Sequence, residues 1–330
     1  MVGGLVGVNK GLISDCDNTA AVDGGGYTGG LVGQNMASIV ASSSDSVVQG
    51  HNITGGLVGK NDRDISRSYS SGTVSGLQYT GGLVGSNAGP VTNCHSTADA
   101  SGQWLIGGLI GDTAASSHVT GCTSSGTVTA TQHQAGGLIG LNKGTVADCA
   151  SHSSVTAYRE IGGLIGTSQG PVSTSYSDGE ASGELCIGGL IGSNQARLTN
   201  CYSHASVTAT GGNKAQLGGL IGCNSQPVTN CYSTGRPTGI QDVGGLIGLL
   251  APSGSAIGSF WDTVTSHQLQ SATGSDWAPP RWPTGTGRAT TQMQTIFTFL
   301  DAGWDFDKVW TICEGKDYPR LRWEDRPCPP

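Results

Sequence analysis

Several residue groups in this sequence have the types and spacings that catalysis or binding would use. Gly166-Thr167-Ser168-Gln169-Gly170 matches the Gly-x-Ser-x-Gly of a serine hydrolase elbow, which works only on a sharp strand-to-helix turn. Gly24, Gly26 and Gly29 match a dinucleotide loop, whose use requires a surrounding βαβ unit. Sugar-cleaving enzymes need two carboxylates within several ångströms. Asp15 with Asp17, and Asp62 with Asp64, are the candidate pairs. The seven His are dispersed, without the i, i+3 or i+4 spacing or Cys-x-x-Cys partner of a zinc site.

The elements that would position these groups form a repeat. Gly-Gly-Leu-Val/Ile-Gly begins at Gly3, Gly29, Gly55, Gly81, Gly107, Gly136, Gly162, Gly188, Gly218 and Gly244, with intervals of 26 except for one of 29 and one of 30. The longer intervals read as insertions of three and four residues at a corner. In this frame Gly166 ends a pentapeptide, Ser168 replaces a repeating Asn, and Gly29 opens the second repeat. Both glycine motifs are therefore by-products of the repeat. Neither carboxylate pair has an acidic counterpart one repeat away. No catalytic centre, cofactor or metal is expected, and the chain reads as a non-enzyme.

Other positions keep step with the pentapeptide. An Asn row follows six residues after its first Gly: Asn9, Asn35, Asn61, Asn87, Asn142, Asn194 and Asn224. An aliphatic row follows at ten, and a row of small thiols or hydroxyls at thirteen. That last row holds Cys16, Ser42, Ser68, Cys94, Cys149, Ser175, Cys201 and Cys231, with Cys122 shifted by two. Gly-Gly in every unit, with Val, Thr, Ser and Asn between, disfavours helix and suits short strands joined by tight turns. Such strands bury an apolar face only by stacking on copies of themselves. The expected fold is all-β: a single-stack parallel β-helix, or β-solenoid, of about ten 26-residue coils over residues 1–257. With coils ~4.8 Å apart, the rod is on the order of 45 Å long.

In that fold like residues form ladders. Asn is expected to satisfy corner backbone groups, Gly-Gly to sit where the chain bends or backbones crowd, and thiols to act as small apolar filler. Tyr69, His95, Tyr176, Tyr202 and Tyr232 follow the thiol row by one residue and are expected to face outward. Stacked Tyr69, Tyr176, Tyr202 and Tyr232 would suit sugar rings, so surface glycans are a candidate partner. A Thr-rich face for ice is broken by Asp23, Asp99 and Arg236.

Composition restricts the partners further. Of 330 residues 56 are Gly, net charge is −7, and residues 1–257 carry nine scattered Lys or Arg, so no basic stripe offers itself to nucleic acid. No apolar run is long enough to span a membrane. The pentapeptide starts at residue 3, with no secretion signal ahead of it, which suggests a fragment or a processed chain.

The repeats resemble the GLUG family, named for a Gly-Leu-x-Gly core, as in Gly30-Leu31-Val32-Gly33. A longer match runs from Gly188-Gly189-Leu190-Ile191-Gly192-Ser193-Asn194 to Asn200-Cys201-Tyr202-Ser203. The resemblance implies an adhesin-like, extracellular or cell-surface protein of bacteria or archaea. Similar repeats accompany metallopeptidases that cleave immunoglobulin A, but those use His-Glu-x-x-His, and no His-Glu pair occurs here.

Residues 258–330 differ in composition, holding six of the seven Trp and all four Phe. They read as a mixed, Trp-rich C-terminal cap, needed because a solenoid end exposes both strand edges and apolar cross-section. A helix over 290–300 is expected to lie across the last coil, followed by strands near 309–312 and 320–323. Cys313 and Cys328 are a candidate disulfide. The opposite end reads as open, suited to flanking repeats or another copy of the chain, and this makes a head-to-tail filament the main alternative to a structural or adhesive module.

Overall fold

The computed structural model describes residues 1–211, 215–271, 273–274 and 283–329. The repeats wind into one parallel β-stack, and over most of it the register of one strand on the next equals the repeat length. Thus Val58 lies opposite Val32 and Val84, and Asn61 lies opposite Asn35 and Asn87. Each coil consists of short strands between bends, which its β-branched residues and glycines favour. The Leu, Val/Ile, aliphatic and thiol rows fill one continuous core, in which Leu57, Val58, Ile65 and Cys122 are at most 1% exposed. A second, smaller core holds Val128, Val155, Val207 and their neighbours. Burial contributes about 1.5–3 kcal/mol for each such large aliphatic side chain.

The glycine pair is explained by crowding. A Cβ on Gly55 would lie 2.0 Å from the Val58 carbonyl oxygen, and one on Gly56 2.0 Å from that of Gly82 in the next coil. No other residue fits where backbones approach so closely.

Three expectations need correction. The three-residue insertion does not sit at one corner. Val91 pairs with Val119, an offset that adds two residues near 114–117. The third enters between Ala130 and His133, where the strand bulges against Gly102–Trp104. The boundary at 257/258 cuts through one strand, Ser255–Asp262, and further parallel pairing brings in Thr273–Gly274 and Thr284–Arg288. The stack thus continues past its tenth coil. Finally, the expected helix is two short ones, Thr290–Met293 and Ile296–Leu300, and the cap packs along the flank of coils seven to ten as well as at their end.

At that end Trp261 takes the place of a small interior Ser and plugs the core, its indole N–H donating to the Gln268 carbonyl at 2.9 Å. The cap adds an antiparallel pair, Trp310–Thr311 with Arg320–Leu321. At the other end Leu5 is 53% exposed, whereas Leu31, one coil on, is 0%.

Candidate functional site

The Asn row forms a buried chain of amides at one corner. Asn9 donates to Asn35 at 2.8 Å, Asn35 to Asn61 at 2.8 Å and Asn61 to Asn87 at 2.7 Å. Asn194 donates to Asn224 at 2.8 Å. Every amide of the row except Asn194, whose Oδ1 is buried without a partner, also closes its own turn. The Asn142 side chain accepts from the Gly144 N–H at 3.2 Å and donates to its carbonyl at 3.1 Å. Thr113 and Ser168 interrupt the row. Ser168 is fully buried, accepts from Asn142 at 3.2 Å and donates to the Gly170 carbonyl at 2.8 Å. Its hydroxyl is therefore a corner group with no path to a substrate.

The thiol row is polar in use, which corrects its reading as apolar filler. Cys122 donates its S–H to the Thr120 carbonyl at 3.3 Å and accepts the Cys94 N–H at 3.5 Å. Cys231 likewise donates to the Thr229 carbonyl at 3.2 Å and accepts the Cys201 N–H at 3.3 Å. Ser42 makes the same two bonds, to the Val40 carbonyl and from the Cys16 N–H. The row needs a small side chain that both donates and accepts, and Ser and Cys meet that need. Hydrogen bonding to Cys122, with burial, pushes the Cys94 thiol up, and burial raises that of Cys201.

Two features of this corner escaped the sequence reading. The residue before each thiol or hydroxyl adopts positive φ, as in Asp15, Asn93, Asp148, Asn200 and Asn230. The prevalence of Asp, Asn and Gly at that step was the available signal. Two residues past the thiol row runs an interior Ser row, in which Ser177 donates to the Gly189 carbonyl at 2.6 Å and Ser70 to that of Gly82.

The aromatic row splits into two parts. Tyr176, Tyr202 and Tyr232 do stack, with ring centroids 4.8 and 5.0 Å apart, but they are 3%, 2% and 0% exposed. The cap covers them, and glycan stacking on these three is ruled out. Trp323 donates to the Thr174 carbonyl at 2.8 Å, Arg326 to the Tyr176 hydroxyl at 2.6 Å, Tyr202 to Glu324 at 2.9 Å and Tyr232 to the Pro319 carbonyl at 2.6 Å. Only Tyr69 stays open, stacked on His95 at 5.1 Å, and Thr123 and Ala150 separate it from the other three.

Burial sets the electrostatics of this interface. It pushes the Tyr176 hydroxyl up to about 12, raises those of Tyr202 and Tyr232, and raises Glu324 despite the bonds that carboxylate accepts. His204, packed against Tyr202 and Tyr232, is lowered to about 4 by the same cause. These groups join cap to rod through hydrogen bonds and ring contacts.

Cys313 and Cys328 form a disulfide with Cα atoms 5.6 Å apart. A second disulfide, Cys186–Cys223 with Cα atoms 5.3 Å apart, escaped the sequence reading because the two lie 37 residues apart and off the thiol row. Among the described residues no cluster of His, Cys, Asp or Glu has the makings of a metal site.

These observations define the class: a capped parallel β-solenoid whose buried side chains repeat coil by coil. The family model described as the GLUG motif matches residues 102–129 and 183–208. A protein of Evansella cellulosilytica, described as a Gly-rich membrane protein, is 44% identical over 85 residues, which is 25% of this chain and 8% of that relative. The chain thus matches only a small part of the relative's length. No solved structure matches. Among the described residues no helix is long and apolar enough to cross a membrane.

Proposed function

We propose that this chain is a non-catalytic structural and adhesive rod module of an extracellular microbial surface protein. The observation that carries this reading is the parallel stack of coils on one another, a scaffold that displays outward residues at coil spacing. Its two disulfides suit an oxidising compartment. The relative's description as a membrane protein agrees with a surface setting.

Limited protease treatment of intact producing cells tests the location. The reading expects release of the rod, with both disulfides recovered as bridged peptides. A protein found only inside the cell, with all four cysteines alkylated without prior reduction, contradicts it. Turnover in a screen of acidic polysaccharides would end the non-catalytic reading.

A filament subunit is the second reading, favoured by the exposed edge and the uncovered Leu5 of the first coil. That edge accepts another coil, either of the same polypeptide or of a second copy. Negative-stain images that show only isolated short rods at high concentration count against it.

A further inference from the structure

Outside the Asn corner and the capped stripe, one trough combines aromatic and polar side chains in register. It runs along the rod over the last strands of coils three to six. One wall is the ladder Gln78, Trp104, His133 and Arg159, successive partners in the parallel sheet. The other is formed by Leu105, Gln134 and Glu160 at a corner with positive φ. The trough is open along its length and holds about 510 Å³, within the range of ligand clefts.

Its chemistry is unfinished within the protein. His133 Nδ1 and Arg159 Nε are shielded from solvent and have no hydrogen-bond partner, and these two side chains are direct neighbours across adjacent coils. A buried polar atom without a partner costs about 1–3 kcal/mol, and a turn of either side chain toward the open trough would let a bound hydroxyl relieve that cost. Glu160 is already held, accepting from Thr167 at 2.9 Å and lying 3.5 Å from Arg159, so the formal charges of the lining cancel. Beside them the Tyr158 ring lies 5.8 Å from that of His133 and is 46% exposed. The Cys186–Cys223 disulfide fixes the same corner one coil further on.

We propose that this trough binds an extended neutral polysaccharide lying parallel to the rod axis. Flat rings (Trp104, Tyr158, His133) offer faces to the apolar sides of sugars, and planar amide and guanidinium groups (Gln78, Gln134, Arg159) offer paired donors and acceptors to hydroxyls. Coils repeat at ~4.8 Å, close to the length of one pyranose ring, so each coil meets about one sugar. A cancelled lining charge and a chain of net charge −7 disfavour polyanions. The proposal stands apart from the structural role, since a rod scaffold needs no such trough.

Affinity electrophoresis of the whole chain tests it, with mixed-linkage β-glucan, xyloglucan and galactomannan as neutral probes and polygalacturonate and oligo-dT as acidic ones. At least one neutral probe is expected to retard the protein. Trp104→Ala is expected to weaken that binding about tenfold or more, as loss of one stacked ring does. His133→Gln and Arg159→Gln, which preserve side-chain bulk, are expected to weaken it too, whereas Tyr69→Ala leaves it unchanged. Circular dichroism confirms that each variant is folded. No retardation by any neutral probe, retardation by the acidic probes alone, or undiminished binding in folded Trp104→Ala and Arg159→Gln would each overturn the proposal.

Discussion

Replacing Asn61 by Leu tests the buried amide chain at its centre. Asn61 is 0% exposed, accepts from Asn35 at 2.8 Å and donates to Asn87 at 2.7 Å. Leu preserves volume but leaves the Asn35 Nδ2 and the Asn87 Oδ1 each short of a partner. Each orphaned group costs about 1–3 kcal/mol, and the corner bonds to Arg63 are lost as well, so the expected loss is about 3–6 kcal/mol. The rod supplies its own control, because Ser168 already fills this row, accepting from Asn142 and donating to its own corner at Gly170 while the Asn194 Oδ1 beyond it goes unpaired. Asn61→Ser is therefore expected to cost about half as much. Urea unfolding followed by far-UV circular dichroism reads the midpoint shift, compared at matched slope because repeat arrays can unfold in parts. A loss below about 1 kcal/mol for Asn61→Leu, or equal losses for Leu and Ser, would refute the reasoning.

Three further outcomes follow from other parts of the molecule. His204 is lowered to about 4 from its ordinary 6.5, so between those values the unfolded chain binds a proton that the folded chain does not. Stability should therefore fall by up to about 3 kcal/mol as pH drops from 6.5 to 4, and His204→Gln should flatten that limb of a stability–pH curve. Of the six free thiols only Cys16 is not buried, so one equivalent is expected to react with a thiol reagent in the native protein and six after unfolding. Gly56→Ala drives a methyl group into the Gly82 carbonyl oxygen. Thermal melting should show a loss of about 3 kcal/mol or more, against near-neutrality for Gly25→Ala, whose Cβ meets nothing.

The rod itself was legible in the sequence because a solenoid writes its contacts as a period. When each residue pairs with its own counterpart one coil away, spacing alone gives the register of Val58 on Val32 and the Asn61 chain. The cap was not legible in that way. Its residues meet the rod far apart in sequence, as Trp323 meets Thr174, so no period announces that Tyr176, Tyr202 and Tyr232 end up beneath it. The same holds for Cys186–Cys223 and for the trough, whose ladder mixes Gln78, Trp104, His133 and Arg159 and so offers no repeating letter. The thiol row was seen as a row but misjudged in kind, because composition cannot distinguish a small filler from a small hydrogen-bonding group.

The stacking of coils is the claim beneath all others, and spin-label distances measure it. Thr73, Asp99, Thr127, Ser154, Glu180 and Ser206 form an exposed row, one residue per coil. With Cys16 replaced by Ser, labels on Thr73 and Ser206 are five coils apart and should lie about 24 Å apart along the axis, with Thr73 and Glu180 about 19 Å apart. Distances that grow by one coil spacing per repeat are the predicted result. Distances far longer or shorter than these multiples, as an extended or back-folded chain would give, or broad distributions without a step per repeat, would contradict the account.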